Sequence, residues 1–290
     1  EKIMATNQKY LKKFLTEEAP AKLESQLEHM DWSYLDMIHN KEQQRGAFSP
    51  LAAMELSEIE ANKDKYLATG LDAVKNGKVG AILLAGGQGT RLGFDKAKGM
   101  FNIGKTKELY IFEQLVANLM KVTNQTGTWV PLYVMTSEIN DGMTREFFEE
   151  HDYFGYNKDY VKFFVQEMVP AVDFDGNLLM KSEDSLAMSP NGNGGWFKSL
   201  INAGLDKDLK DKGVEWLNVF AVDNVLQRIA DPCFVGATIT ENRSVGAKVV
   251  CKNHPDEKVG VMCLKDNHPS IVEYYELTPE LRDAVDEDGE

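Results

Sequence analysis

An α/β fold built around a largely parallel sheet is the architecture this sequence implies, and three features carry that expectation. From Val79 onward, apolar runs of strand length alternate with amphipathic stretches of helical period. The runs read as buried strands, and alternating β and α elements put such strands in a parallel sheet covered on both faces. A glycine-rich loop follows the first run, at the carboxyl end of a strand, where open α/β sheets bind their ligands. Composition agrees: of 290 residues, 43 % are hydrophobic and 27 % charged, which excludes collagen-like, disordered and coiled-coil chains.

Residues 1–77 read as a helical region. Leu11, Phe14 and Leu15 share one face, and Leu23, Leu27, Met30 and Leu35 another. Asp31 and Ser49-Pro50 punctuate the run, and a third helix is expected over 57–75, stopped by Asn76-Gly77. The α/β part occupies 78–290. Its expected strands are 79–85, 130–136, 161–166, 217–222, 247–252 and 259–264, and its expected helices 108–122, 143–151 and 195–203. No apolar run approaches the ~18 residues of a membrane helix, so no membrane partner is expected.

Thirty-two basic residues against 46 acidic ones give a formal net charge of −14. Such a surface repels phosphate backbones, so nucleic acid is not an expected partner. An anionic substrate would need local Lys, Arg or a metal to hold it against that field. Cys233, Cys251 and Cys263 form no C-x-x-C pair and read as reduced thiols of a cytoplasmic protein. His29, His39, His151, His254 and His268 are scattered at no ligand spacing. The start, Glu1-Lys2-Ile3-Met4, lacks an initiator methionine and the layout of a signal peptide, and 283–290 form an acidic end. Both ends are therefore expected to be cuts in a longer chain.

The loop after the first strand reads Ala85-Gly86-Gly87-Gln88-Gly89-Thr90-Arg91-Leu92-Gly93. Its glycines let backbone pass close to a ligand with N–H groups facing it, which is chemistry for cradling phosphate. The dinucleotide fingerprint fails, because Leu92 stands where a third glycine belongs. Arg91, Lys96 and Lys98 add cations, which favours a polyphosphate. On the residues alone, a tight strand-to-helix turn with solvated cations stays open as the alternative. Gly99-Met100-Phe101-Asn102-Ile103-Gly104-Lys105-Thr106 spells a P-loop, and Leu217 to Asp223 resembles the metal strand of such an ATPase. A P-loop starts where a buried strand ends, however, and Gly99 follows Phe94-Asp95-Lys96-Ala97-Lys98. Lys105 and Thr106 then merely open a helix, Thr106 as a possible cap.

Leu84 through Gly93 followed by Lys98-Gly99-Met100 resembles the UDP-N-acetylhexosamine pyrophosphorylases, among the UTP-dependent sugar-1-phosphate uridylyltransferases. The likeness continues, in order, through Gln166 before Pro170-Ala171, Ser189-Pro190-Asn191-Gly192-Asn193-Gly194-Gly195 and Val222-Asp223-Asn224. It extends to Gly246-Ala247-Lys248-Val249-Val250, Val259-Gly260-Val261 and Val272-Glu273-Tyr274. The family usually carries proline where this chain has Ala97, and Lys96 is a second lysine beside Lys98. The resemblance implies a three-layer, Rossmann-like nucleotide-diphospho-sugar transferase core with a helical N-terminal region packed on it. It also implies transfer of uridylyl from UTP to a sugar 1-phosphate, N-acetylglucosamine 1-phosphate first, releasing pyrophosphate. Alternatives are a glucose or galactose substrate, a non-catalytic nucleotide-sugar sensor and, remotely, a P-loop NTPase.

The roles follow from the resemblance. Leu84, Ala85, Gly86 and Gly87 would hold uracil and the first phosphates, and Arg91 and Lys98 would neutralise the triphosphate. Gln166 would pair with uracil, whose N–H lies between two carbonyls, through an amide that both donates and accepts; an ordinary polar strand end is the other reading. Gly192 would lie against the base. Asn193, Gly260, Glu273 and Tyr274 would face the sugar, although Asn191 to Gly195 is also consistent with a plain turn and an Asn cap. Asp223, at an apolar strand end, would share Mg²⁺ with phosphate oxygens, or else cap the following turn. Trp196 and Phe197 are expected in the core. Relatives continue well past Glu273-Tyr274, so this chain is expected to bind UTP weakly and to turn over slowly.

Overall fold

A computed structural model describes residues 8–15, 17–33, 35 and 46–285. The opening 1–4, His39 and the end 286–290 lie outside the described residues. Helix α1 (Ala21–His29), strand β1 (Phe48–Pro50) and helices α2 (Leu56–Ala61) and α3 (Lys63–Lys75) precede strand β2 (Val79–Leu84). Helix α4 (Ile111–Thr126), strand β3 (Leu132–Thr136), helix α5 (Asp141–Glu150) and strand β4 (Val161–Val165) follow. Then come β5 (Met168–Pro170), β6 (Met180–Ser182), β7 (Ser185–Leu186), β8 (Met188–Pro190), α6 (Trp196–Asn202) and α7 (Leu205–Asp211). The rest comprises β9 (Trp216–Ala221), α8 (Pro232–Thr240), β10 (Val261–Lys265), β11 (His268–Val272) and α9 (Pro279–Arg282). The chain divides into two units, Glu1–His39 with Asp64–Ser244, and Asn40–Lys63 with Val245–Glu290. That division is discontinuous and does not fall between residues 77 and 78.

A four-stranded parallel sheet in the order β4-β3-β2-β9 organises the first unit. Leu83 stands beside Val134 on one side and Phe220 on the other. Pleating sends alternate side chains to opposite faces. Ala81, Leu83 and Val134 join Val74 of α3, Phe112, Leu115 and Leu119 of α4, Phe148 of α5 and Val235 of α8 in one cluster. Ile82, Tyr133, Met135 and Phe164 pack on the opposite side with Leu200 of α6 and Leu209 of α7. Burial on both faces is why these strands read as solid apolar runs. A smaller cluster holds Leu11, Phe14, Leu23, Leu27 and Leu35 against Leu178 and Leu186 of the β5–β8 region.

The second unit contains a three-stranded antiparallel sheet in the order β1-β10-β11. Asp266 and Asn267 link β10 to β11 with φ of 51° and 65°, and these two residue types tolerate the left-handed region best after glycine. Pro50 ends the edge strand β1 opposite Cys263, a position where a missing N–H costs little. Among the described residues no helix is long and apolar enough to cross a membrane.

Several elements depart from expectation. The helix expected over 57–75 is two helices, broken at Asn62, whose side chain bonds back to the Glu58 carbonyl at 3.0 Å. The helix expected over 108–122 starts at Ile111, because Asn102 Oδ1 accepts from the Leu109 N–H and holds 108–110 outside the helix. It runs on to Thr126 until Gly127 supplies a left-handed cap at φ 73°. Thr106 therefore caps nothing. The strand expected over 247–252 does not form: Val250 is 93 % exposed, and no described strand pairs with the segment. Strand β11 was not anticipated.

Candidate functional site

Parallel pairing brings the carboxyl ends of β2, β3, β4 and β9 to one edge, and four loops leave from it. Two adjoining cavities of about 390 and 320 Å³ open among these loops, sharing Gly87, Gln88 and Asn193. The first is walled by Gly86, Ser137, Ile139, Gln166, Met168 and Gly192, among others. Its polar side chains are the amides of Gln88, Gln166 and Asn193, the Ser137 hydroxyl and the Glu138 carboxylate. The second brings Leu84, Thr90, Arg91, Lys98 and Asp223 together, so two cations and one carboxylate face it.

Gln166 is buried, its backbone fixed by an N–H bond to the Thr136 carbonyl at 2.9 Å. Its amide lies so close to Gly86 that a Cβ there would sit 2.6 Å from Nε2. A side chain at 86 would displace the Gln166 amide from this position. Gly192 turns the chain at φ 79° with open space around its Cα, a conformation other residues adopt at a cost. Gly87 likewise leaves open space beside it, as a ligand-facing backbone demands.

Lys98 is half-buried and pairs with Asp223 across the second cavity. Asp223 is exposed and charge-paired, not buried and alone as the sequence suggested. The turn after it is held instead by Asn224, whose Oδ1 accepts from the Leu226 N–H at 3.2 Å. Lys96 and Lys105 line neither cavity, which leaves Lys98 and Arg91 as the cations of the site. The P-loop spelling has no matching geometry. A Cβ on Gly99 would lie 2.2 Å from the Phe112 ring, and one on Gly104 1.9 Å from the Lys107 carbonyl, so both glycines serve packing.

Ala85 is the exception among the loop residues. It is buried, its N–H donates to the Met135 carbonyl at 2.8 Å, and its carbonyl accepts from Asn140 at 3.1 Å. Its backbone is engaged by the fold and walls neither cavity. Phe197 is 53 % exposed and is not core; Trp196 packs partly against the cluster of α6 and α7. Gly260, Glu273 and Tyr274 belong to the second unit. There a Cβ on Gly260 would come within 3.2 Å of Glu273 Oε1, so these two are neighbours. Tyr274 is 44 % exposed. Glu276 bonds the Glu273 N–H at 2.9 Å, a local turn contact.

Three residues escaped the sequence reading. Gln88 Nε2 and Ser137 Oγ are buried without a hydrogen-bond partner among the described residues, and both residues line the first cavity. Asn140, fully buried, bonds the glycine loop. Their position just after strand ends was a usable signal for Gln88 and Ser137; nothing in the sequence marked Asn140. The pronounced titration shifts lie in the scaffold. Burial pushes the Tyr133 phenol up, with Asp208 adding to it, and burial pushes Tyr156 up to about 12. Among the described residues no three His, Cys, Asp or Glu side chains group as metal ligands. The lone Asp223 carboxylate does not fit a cage of protein ligands. It does fit a magnesium ion that takes its other ligands from phosphates and water.

A glycine loop, an amide-bearing cavity and a cationic cavity lie at the carboxyl edge of a parallel sheet, where α/β proteins of this class bind their ligands. The chain belongs to the UTP–glucose-1-phosphate uridylyltransferase family, which matches residues 11–288. It is 42 % identical over 226 residues to UDP-N-acetylhexosamine pyrophosphorylase-like protein 1 of Mus musculus, covering 76 % of this chain and 45 % of that protein. It is 35 % identical to the UDP-N-acetylglucosamine pyrophosphorylase of Saccharomyces cerevisiae over 96 % of this chain and 60 % of the other. The crystal structure of the uridine diphosphate N-acetylglucosamine pyrophosphorylase from Trypanosoma brucei, in complex with an inhibitor, superposes with a TM-score of 0.83 at 29 % identity, covering 100 % of this chain and 62 % of that one. The chain thus spans about half the length of the curated relatives it matches.

Proposed function

We propose that this chain carries the nucleotide-binding part of a uridylyltransferase that joins UTP and a sugar 1-phosphate into a UDP-sugar and pyrophosphate. The observation that supports it most is the pairing of the two cavities: one offers side-chain amides beside glycine backbone, the other the cations Arg91 and Lys98 with Asp223. A uridine triphosphate has the same division of chemistry. In this reading the core is a three-layer, Rossmann-like transferase fold, and the protein is cytoplasmic.

Gln166 and Gly192 hold uracil in the first cavity, and the backbone of Leu84, Gly86 and Gly87 runs along the nucleotide. Arg91 and Lys98 lie along the triphosphate, and Asp223 would hold Mg²⁺. Bound there, the ion would supply charge neutralisation on phosphate oxygens. A sugar phosphate oxygen attacks the α-phosphorus in line, and the bond to the bridging oxygen breaks, so pyrophosphate leaves with the electron pair. The nucleophile is already an anion, so neither a protein nucleophile nor a general base is needed, and catalysis reduces to positioning and neutralisation. Lys98 stabilises the departing charge once it exchanges Asp223 for phosphate. Asn193, Gly260, Glu273 and Tyr274 serve the sugar; a carboxylate such as Glu273 can accept from two neighbouring hydroxyls.

N-acetylglucosamine 1-phosphate is the first-choice acceptor, in line with the names of the similar relatives; the family description favours glucose 1-phosphate as the second. Pyrophosphate release measured with UTP, Mg²⁺ and each sugar 1-phosphate tests both. Release that depends on UTP and is fastest with the N-acetyl sugar is expected. Release equal with ATP, or no binding of UTP, would overturn the reading.

A further inference from the structure

Asn140 stands at the turn between β3 and α5, with 0 % exposure. Its side chain makes three contacts with backbone. Oδ1 accepts from the Ser137 N–H at 2.8 Å. Nδ2 donates to the Ala85 carbonyl at 3.1 Å and reaches the Gly87 carbonyl at 3.4 Å. The Gly87 carbonyl also accepts the Lys98 N–H at 3.2 Å. One buried amide therefore ties the end of β3 to both ends of the glycine turn, and through Gly87 to the backbone of the cavity lysine.

Geometry explains why such a tie is needed. The loop from Gly86 to Gly89 has three glycines and so loses more backbone freedom on ordering than other sequences would. Gly87 has no atom within 4 Å of the place a Cβ would occupy, so packing does not hold it. Its ladder bonds stop at Ala85. Gly89 is held by its N–H to the Lys96 carbonyl at 2.9 Å and by the Leu92 and Phe94 N–H groups on its carbonyl at 2.7 and 3.2 Å, whereas Gly87 is held through its carbonyl by the Lys98 N–H and Asn140. Asn140 hydrogen-bonds this loop by its side chain to the end of β3, and buried amide bonds of this kind are well made or costly.

We infer that Asn140 is a positioning residue: it sets the glycine turn, and with it Lys98, in the conformation that receives the nucleotide. It touches no reacting atom. This rests on the nucleotide reading of the two cavities. Asn140→Asp is the informative variant, since a carboxylate still accepts from Ser137 but cannot donate to Ala85 and Gly87. Asn140→Ala removes all three bonds. Thr144→Val, one turn further along α5 at a buried hydroxyl without a partner, is the control.

Hydrogen exchange of the Gly89 and Lys98 amides, compared with amides inside α4, reads the local effect in the free protein. UTP titration with Mg²⁺ reads the functional one. Asn140→Asp is expected to speed exchange at Gly89 and Lys98 about tenfold with α4 unchanged and to weaken UTP by a similar factor, while Thr144→Val changes neither. Unchanged loop exchange in a folded Asn140→Asp protein overturns the inference. So does an increase spread evenly over α4, or an equal loop effect from Thr144→Val. If Asn140→Ala does not fold, Asn140→Asp decides alone. Failure of the wild-type chain to bind UTP would instead count against the nucleotide reading, and the exchange comparison would still decide the role of Asn140 in the loop.

Discussion

Lys98 and Asp223 face each other in the second cavity, and removing either charge leaves the other without its partner. Asp223→Asn is expected to lower turnover by at least ~100-fold while the fold stays intact, because an amide holds a hard cation poorly. Full activity at low millimolar Mg²⁺ would remove Asp223 from the metal role. Lys98→Ala should cost on the order of 100-fold, and Lys105→Ala, outside both cavities, less than about twofold; steady-state kinetics on the pair decides. Tyr156 gives a separate test in the scaffold. Its hydroxyl donates to the Val130 carbonyl at 2.7 Å, and its pKa rises from 10.0 to about 12. Folding therefore favours the protonated phenol. The stabilisation is complete below pH 10 and is lost as pH climbs from 10 toward 12, by about 2–3 kcal/mol. Tyr156→Phe should cost about 1 kcal/mol at pH 7 and flatten that alkaline loss in denaturant titrations. Lys98, Arg91 and Gln166 were legible in the sequence because each follows a strand in a recognisable motif. Asn140 was not, since its partners are carbonyls 53 and 55 residues away that only the fold brings near. That Ala85 walls neither cavity was not legible, because a glycine-loop motif does not reveal which of its carbonyls the fold already uses.

Helices α3 and α8 meet at a glycine pair. A Cβ on Gly236 would lie 1.7 Å from the Tyr66 carbonyl, and one on Gly70 1.8 Å from the Pro232 carbonyl. Backbone cannot retreat as a flexible side chain would, so Gly236→Ala should destabilise by about 1–3 kcal/mol or more. A melting temperature equal to wild type would show that the helices separate freely. The four strands of the parallel sheet were legible to within two residues because burial on both faces leaves an unbroken apolar run. Helix ends were less so: Asn102 delays α4 and Gly127 terminates it, and neither effect lies in the apolar period. The segment 247–252 has strand composition but pairs with no strand among the described residues, and a strand needs a neighbouring strand for its backbone groups.

At the scale of the molecule, a net charge of −14 opposes binding of any polyanion. Affinity for a nucleotide must come from the local cations Arg91 and Lys98, and selectivity from the amide cavity. Calorimetric titration with UTP and CTP in Mg²⁺, on the wild-type chain and on Gln166→Ala, tests this division most directly. The uracil N–H and carbonyls suit the Gln166 amide, whereas cytosine replaces that N–H by an acceptor. UTP should bind at least ~10-fold more tightly than CTP in the wild type, and Gln166→Ala should erase most of the difference while retaining the phosphate contribution. Equal affinities for UTP and CTP in the wild type, or an undiminished preference in Gln166→Ala, would contradict the account.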